Sequence, residues 1–200
     1  MPVVTNFSPD KLAVGPGLIW YNVAVPGPGA RMVLGPDGKP DATANPNAKH
    51  IGYTAAGAKF SVKPEIQRHY ADEEVNPVHQ SITQSVATIS ADVQLLDDFD
   101  VLELLASGVG TRVTGSGFDS ITGGIAPLKY TSIAVIWSII NDPTKFGVFH
   151  LYNAANEGGF EVALSRKSLA QSNVVFTGLA LEGRAPTDTS WNRWSERAIS

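Results

Sequence analysis

Residues 51–108 read IGYTAAGAKF SVKPEIQRHY ADEEVNPVHQ SITQSVATIS ADVQLLDDFD VLELLASG. A turn, a strand, an acidic loop, a very long strand and a short helix follow one another in this stretch. Its strands alternate apolar and polar side chains, as strands do when only one face of a sheet is buried. The stretch carries no pattern of catalytic residues, so it points toward assembly rather than chemistry.

The composition of the whole chain narrows the class of protein. Of its 200 residues, 43% are apolar, which is enough for a hydrophobic core. Its 19 glycines and 13 prolines favour an all-β protein with many turns. The absence of cysteine excludes disulfides and thiolate chemistry. A net charge of −4 without a basic stripe argues against tight nucleic-acid binding, and we expect neither a signal peptide nor a membrane span.

Two strands of the opening stretch are predicted from their alternation. Between residues 58 and 66, the polar positions are Lys59, Ser61, Lys63 and Glu65. Between residues 81 and 96, they are Thr88, Ser90, Asp92 and Gln94. Upstream, Ile82 and Val86 fall in the opposite phase, which predicts a β-bulge near Ala87 and Thr88, since one extra residue reverses the alternation.

A helix is predicted over residues 97–107. Asp97 or Asp98 can cap its first turn, and Asp100 places a negative charge where the helix dipole favours one. Gly108 follows as a left-handed terminator. The apolar residues of the helix form its buried face and include Val101, Leu102 and Leu105.

The remaining segments complete a mainly β fold. We predict an antiparallel β-sandwich or small barrel with one flanking α-helix over residues 18–184, preceded by an arm (1–17) and followed by a tail (185–200). Further strands are expected at 18–25, 128–140, 146–151, 159–164 and 173–182. The long loop 26–49, with a turn at Pro36–Gly38, is either mobile or a contact loop. Trp191 and Trp194 could share one face of a helical turn, as a contact surface or folded back onto the domain.

No residue pattern predicts chemistry. The histidines, His50, His69, His79 and His150, lack the spacing of a metal site. The acidic residues at 97–103 lack the glycine of a calcium loop, and no Gly-x-Ser-x-Gly elbow is present. The glycine-rich segment 107–126 lacks the third glycine of a dinucleotide fingerprint. We therefore expect no catalytic residue, cofactor or metal site, and we expect that the chain is not an enzyme.

The order of features in the opening stretch resembles a known family. Gly52-Tyr53-Thr54 and Gly57 precede a strand that ends in Asp72-Glu73-Glu74. Pro77-Val78, the long alternating strand, the Asp-begun helix and a β-meander follow. This order is similar to that of the major tail tube proteins of long-tailed bacteriophages, which are related to the inner tubes of contractile injection systems. The resemblance covers roughly residues 18–184.

The resemblance implies an assembly. Tail tube proteins form hexameric rings that stack into a tube, and double-stranded DNA passes through the lumen during ejection without specific binding. The implied partners are further copies of the chain, the tape-measure, tail-terminator and baseplate proteins, and a sheath protein in contractile tails. The implied location is the virion tail, after synthesis in the host cytoplasm, and no membrane is involved.

The resemblance also suggests which residues make contacts. The lumen-facing set is Lys59, Ser61, Lys63, Glu65, Thr88, Ser90, Asp92 and Gln94. The set contacting the adjacent ring is Arg31, Met32, Val33, Leu34, Asp37 and Lys39. The helix residues Val101, Leu102 and Leu105 are expected outside the sheet at a subunit boundary. A net-negative lumen would repel DNA phosphates and keep the passage free.

Two alternatives stay open. Another ring-forming tail component, such as a terminator or a baseplate subunit, would form one ring but no long polymer. A carbohydrate-binding β-sandwich would need aromatic side chains aligned on one exposed face. The candidates are Trp20, Tyr21, Tyr53, Trp137 and Tyr152, which are scattered over strands and turns that are predicted to be buried.

Overall fold

The computed structural model describes residues 17–69, 79–94, 98–139, 142–159, 171–185 and 190–197. The predicted arm therefore lies outside the described residues apart from residue 17, as does the acidic loop between the two long strands. The strand predicted at 159–164 lies outside them from residue 160 onward.

The described residues are mainly β, which confirms the predicted fold class. The strands are β1 (Leu18–Tyr21), β2 (Lys49–His50), β3 (Tyr53–His69), β4 (His79–Gln94), β5 (Gly110–Gly115), β6 (Phe118–Gly123), β7 (Thr131–Ile139), β8 (Asp142–Asn156), β9 (Gln171–Gly178) and β10 (Trp191–Arg197). One α-helix among the described residues, α1, spans Phe99–Leu105. Within these ranges, no helix is both long and apolar enough to cross a membrane.

Eight strands form one antiparallel sheet in the order β2-β1-β7-β8-β9-β4-β3, with β10 also paired to β8. The sheet curls into a half-barrel. Its curl brings β3 onto β8, although two strands separate them in the sheet, so that Phe60 stacks on Phe149 with 4.0 Å between ring centroids. The remaining strands, β5 and β6, form a separate two-stranded hairpin.

The concave face of the half-barrel encloses the first core. The helix closes this core with Val101, Leu104 and Leu105, and the centre contains Phe176, Ile89 and other side chains with no exposed surface. The alternation predicted for β4 is confirmed, because Ala87, Ile89, Ala91 and Val93 all point into this core. Full burial of each larger side chain contributes roughly 1.5–3 kcal/mol to folding.

A second core lies on the opposite face of β7, β8 and β10. It contains Val23, Met32, Leu34, Ala134, Ile136, Val148 and Trp194. The long loop 26–49 covers it, and Asn45 holds the loop in place. The Asn45 side-chain amide donates to the carbonyl oxygens of Val33 and Asp41, and its oxygen accepts from the Ala24 amide at 3.1 Å. Apolar residues on both faces of β1, as predicted, reflect these two cores.

The structure corrects two local predictions and confirms a third. The β-bulge lies at Thr83 and not near Ala87 and Thr88, because Glu65 pairs with Gln84 and Ile66 with Ile82. The helix is shorter than predicted, with Asp98 as its cap. The Asp98 carboxylate accepts from the Asp100 amide at 2.9 Å, so the capping prediction is confirmed.

The predicted helical turn at Trp191 and Trp194 is wrong. Residues 191–197 form β10, which pairs with β8 along Lys145–Leu151. In a strand, residues three apart point to opposite faces. Trp191 therefore packs against the first core and Trp194 is buried in the second. The sheet thus includes part of the region that the sequence assigns to a separate tail.

Candidate assembly surfaces

The polar residues predicted on β3 and β4 share one face of the sheet. Register pairs Lys59 with Ser90 and Ser61 with Thr88, on the face opposite the first core. Lys63, Glu65, Asp92 and Gln94 follow the same alternation. The two lysines balance the two carboxylates on this face. The acidic surplus expected for a lumen is therefore not found among these eight residues.

The end of the β3–β4 pair, after Val62 in β3 and before Ala87 in β4, extends away from the body of the protein. Strand β9 pairs with β4 only from Ala87 to Gln94, so residues 63–69 and 79–86 pair only with each other among the described strands. We call these two segments the β-arm. Seven residues of strand extend about 23 Å, at roughly 3.3 Å per residue. Both faces of the β-arm are largely exposed.

The bulge decides which residues share the apolar side of the β-arm. Because Thr83 is the extra residue, Ile82 falls on the same face as Ile66 and lies directly opposite it. Their exposed fractions are 68% and 46%. The Thr83 hydroxyl donates to the Glu65 carbonyl at 3.2 Å and so satisfies an acceptor at the irregular position. Sequence reasoning missed this isoleucine pair because the register between the two strands cannot be deduced from either strand alone.

The helix residues predicted at a subunit boundary are largely internal. Val101 and Leu105 have no exposed surface and belong to the first core, so they are not available to a neighbouring subunit. Leu102 is half-buried. The helix packs on the concave, apolar side of the sheet and not outside it. Its contribution to a contact is therefore limited to its polar face.

The predicted ring-contact residues of the loop divide into two groups. Met32 and Leu34 are buried in the second core, so they stabilise the subunit itself and cannot contact another ring in this conformation. Arg31, Val33, Asp37 and Lys39 are exposed. The turn at Pro36–Gly38 is confirmed by the bond from the Gly38 amide to the Gly35 carbonyl at 3.0 Å. An ordered loop thus presents alternate residues to solvent.

Ion pairs fasten the β5–β6 hairpin to the helix. Arg112 on β5 contacts Asp100 at 2.6 Å and Asp119 at 3.1 Å, and Lys49 on β2 also binds Asp100. Hydrogen bonds hold the pKa of Asp100 below its usual value, and the bond from Lys49 has a larger effect than the bond from Arg112. A hydrogen bond from Arg112 likewise lowers the pKa of Asp119. The outer face of the hairpin exposes Val113 and Phe118. Sequence reasoning missed both strands because their glycines favoured turns.

The described residues show no cluster of three His, Asp or Glu side chains that could hold a metal ion. His150 is fully buried beside Tyr152 and Trp194, and neither of its ring nitrogens has a hydrogen-bond partner among the described residues. Burial lowers its pKa to about 4, and the Arg184 charge acts in the same direction.

An open groove of about 890 Å³ lies at the base of the β-arm, between Val86, Thr177 and Trp191.

The five candidate aromatic residues do not form a sugar-stacking platform. Trp137, Tyr21 and Tyr152 are buried, and Trp20 is half-buried against the second core. Tyr53 is 63% exposed, which corrects the prediction that it is buried. Burial raises the pKa of Tyr21 to about 12, with Asp98 and Asp100 adding to the shift. One exposed ring out of five candidates gives no aligned binding face.

No protein-family model matches the chain, and no curated protein matches it.

Proposed function

We propose that this chain is a structural virion protein that assembles as stacked hexameric rings into the tail tube of a bacteriophage. The proposal starts from the resemblance in the order of sequence features. The observation that carries it further is the β-arm, a two-stranded extension that no other described element covers. A surface of this kind suits a protein that is completed by its neighbours.

The limited stability of the β-arm favours its contact with another copy of the chain. An isolated two-stranded hairpin is marginally stable in water, and such structures gain independent stability when a further strand or surface covers them. The β-arm also exposes Ile66 and Ile82 as an opposed apolar pair. Docking this pair on another copy would remove apolar surface from water, at roughly 25 cal/mol per Å². The β-arm is therefore the first surface to test as a contact.

The open sheet supplies a second argument. Strand β3 pairs only with β4, and β10 pairs only with β8, so each presents an unpaired edge among the described strands. Unpaired edges invite pairing with other chains, and closure removes that hazard. A ring in which neighbouring half-barrels meet would cover these edges. The polar face of β3 and β4 could then face water on the inside of the ring.

The lumen assignment rests on polarity rather than on negative charge. Lys59 and Lys63 offset Glu65 and Asp92 on the candidate face. A neutral, hydrated wall also lacks the basic clusters that bind phosphates tightly. The proposed lumen face is therefore the set of eight polar residues on β3 and β4, and it is hydrated and neutral, not repulsive toward phosphates.

The β-arm and the open edges are equally suited to another ring-forming tail component. A terminator or baseplate subunit would form one ring of the same symmetry and would not polymerise. The arrangement of the five candidate aromatic residues does not favour the carbohydrate-binding alternative. The two assembly hypotheses therefore differ in one observable, the number of rings in the particle.

The test is the assembly state of the full chain over a range of concentrations. We expect six-fold rings and tubes by negative-stain electron microscopy and hexamer masses by native mass spectrometry. The double variant Ile66→Ser with Ile82→Ser should lose assembly while keeping its circular dichroism spectrum. Lys63→Ser with Glu65→Ser, on the other face of the same β-arm, is the matched control and should still assemble.

Three outcomes are informative. A chain that stays monomeric at every concentration contradicts the proposal. Assembly of the isoleucine variant at the wild-type concentration removes the β-arm argument. Rings that never stack favour the single-ring alternative over the tube.

A further inference from the structure

The end of the β-arm brings two histidines together. His69 is the last residue of β3 and His79 is the first of β4, and the register makes them direct partners. Their ring centroids are 5.8 Å apart with planes tilted by 30°, and both side chains are exposed. We infer that His69 and His79 form a two-histidine site for a divalent transition-metal ion such as Zn²⁺ or Ni²⁺.

The chemistry and the spacing agree. Neutral imidazole nitrogen is a preferred ligand for zinc, copper and nickel. A histidine nitrogen lies about 2.0–2.1 Å from bound zinc, so two rings on one ion have centroids roughly 5–6 Å apart. The observed separation therefore needs only side-chain rotation to accept an ion. Water molecules would occupy the remaining coordination positions, as in other sites with few protein ligands.

The surroundings favour this site over other histidines of the chain. The strand pairing already fixes both backbones, so binding orders only two side chains and costs little conformational entropy. The Ser81 hydroxyl lies 3.4 Å from Nε2 of His69 and can orient that ring, as outer-shell partners of metal-binding histidines do. The charged residues on this face of the β-arm, Lys63 and Glu65, balance each other and lie toward its base.

The ten-residue separation of these histidines matched no metal-binding motif in the sequence. The hairpin register produces the juxtaposition, and the register also predicts the consequence of binding. An ion held by one histidine from each strand would cross-link the end of the β-arm. The inference rests on this register and is independent of the proposed function.

The direct test is titration of the full chain with ZnCl₂ by isothermal calorimetry at about pH 7.5. We expect one ion per chain. Loss of an outer-shell partner alone costs about 10–100-fold in affinity, so His69→Gln and His79→Gln should each weaken binding at least tenfold. Gln80→Ala, next to His79 but on the opposite face, is the control and should bind like the wild type.

A second measurement locates the ion. Zinc should slow amide hydrogen exchange at residues 67–69 and 79–81 in the wild-type chain and leave it unchanged in His69→Gln. The inference is overturned if the wild type does not bind zinc. It is also overturned if both histidine variants bind with unchanged affinity, since the ion then lies elsewhere.

Discussion

Gly38 lies against the ring of Phe146, so closely that a β-carbon on residue 38 would come within 2.2 Å of a ring carbon. Gly38 also has a φ of +73°, in the left-handed region that favours glycine. Phe146 belongs to β8 and packs at the margin of the second core. The turn of the long loop therefore packs directly against β8 of the sheet.

Replacing Gly38 with alanine should loosen the loop and destabilise the protein. The left-handed conformation costs alanine about 1–2 kcal/mol, and the clash with Phe146 should add roughly 1–3 kcal/mol. Gly29 is a matched control in the same loop, because its φ is +72° and no atom lies near its missing β-carbon. Urea denaturation of Gly38→Ala and Gly29→Ala separates the two terms. Equal losses in the two variants would show that the Phe146 contact has no energetic weight.

Replacing Trp194 with alanine should destabilise the protein by roughly 3–5 kcal/mol, as expected when a large buried aromatic side chain leaves a cavity. Trp194 is 8% exposed and fills the second core. Tyr53→Ala is the control, because a substitution at an exposed aromatic residue usually changes stability by about 0.5 kcal/mol or less. The free energies of unfolding should be measured by chemical denaturation. An unchanged stability of Trp194→Ala would mean that the Trp194 side chain does not stabilise the second core.

His150 should make the protein less stable as the pH falls from neutral toward 4. Its pKa is about 4 in the folded chain and 6.5 ordinarily, so between these values the unfolded chain binds a proton that the folded chain does not. The free energy of unfolding should therefore fall through this window, by roughly 3 kcal/mol at 1.36 kcal/mol per pKa unit.

His150→Leu tests this pH dependence, because it removes the titrating ring from a site where neither nitrogen has a hydrogen-bond partner among the described residues. Denaturation at pH values near 7 and near 4.5 should show a smaller decrease for the variant than for the wild type. Burial also lowers the pKa of His50, so part of the decrease should remain. Gln80→Ala, which replaces an exposed side chain that does not titrate, should keep the full decrease. If His150→Leu keeps it as well, His150 is not its source.

Asp100→Asn should release the β5–β6 hairpin without unfolding the body. The pKa of Asp100 is lowered by Lys49 and Arg112, so the carboxylate contributes stability above its unfolded value of about 3.9 and loses it as the pH falls. An exposed ion pair contributes at most about 1 kcal/mol, so global stability should change little. Amide exchange in the hairpin should rise up to about fivefold, the factor that 1 kcal/mol gives.

Asp37→Asn is the control for the loss of the Asp100 ion pairs, since Asp37 pairs with the nearby Lys39 within the long loop. It should leave exchange in residues 110–123 unchanged. If Asp100→Asn leaves hairpin exchange unchanged as well, the hairpin is held by the backbone hydrogen bond from the Gly110 amide to the Ala106 carbonyl and not by charge.

The alternation of apolar residues and the helix-capping residue were sufficient to predict β4 and α1. The alternation from Ala87 to Val93 identified the buried face of β4, and Asp98 identified the start of the helix. Both signals are local, because they depend on side chains within one element. They therefore survive without knowledge of the partner strands.

The misplaced features depend on partners that are distant in the chain. The position of the bulge is set by the pairing of Ile66 with Ile82, which no alternation within β4 can locate. The spacing of Trp191 and Trp194 fits one side of a helix or both sides of a strand. Pairing with β8 decides between them. The burial of Met32 and Leu34 likewise depends on a sheet face that the sequence does not reveal.

The position of β10 has a consequence for the order in which the protein can fold during synthesis. Strand β8 is made some 35 to 50 residues before β10, so one of its edges and the Trp194 side of the second core wait until residues 191–197 are available. Until then the nascent chain exposes Ile136 and Val148. The chain should thus complete this fold only after residues 191–197 have been made, and chains that stop before them should bind chaperones that recognise apolar strands.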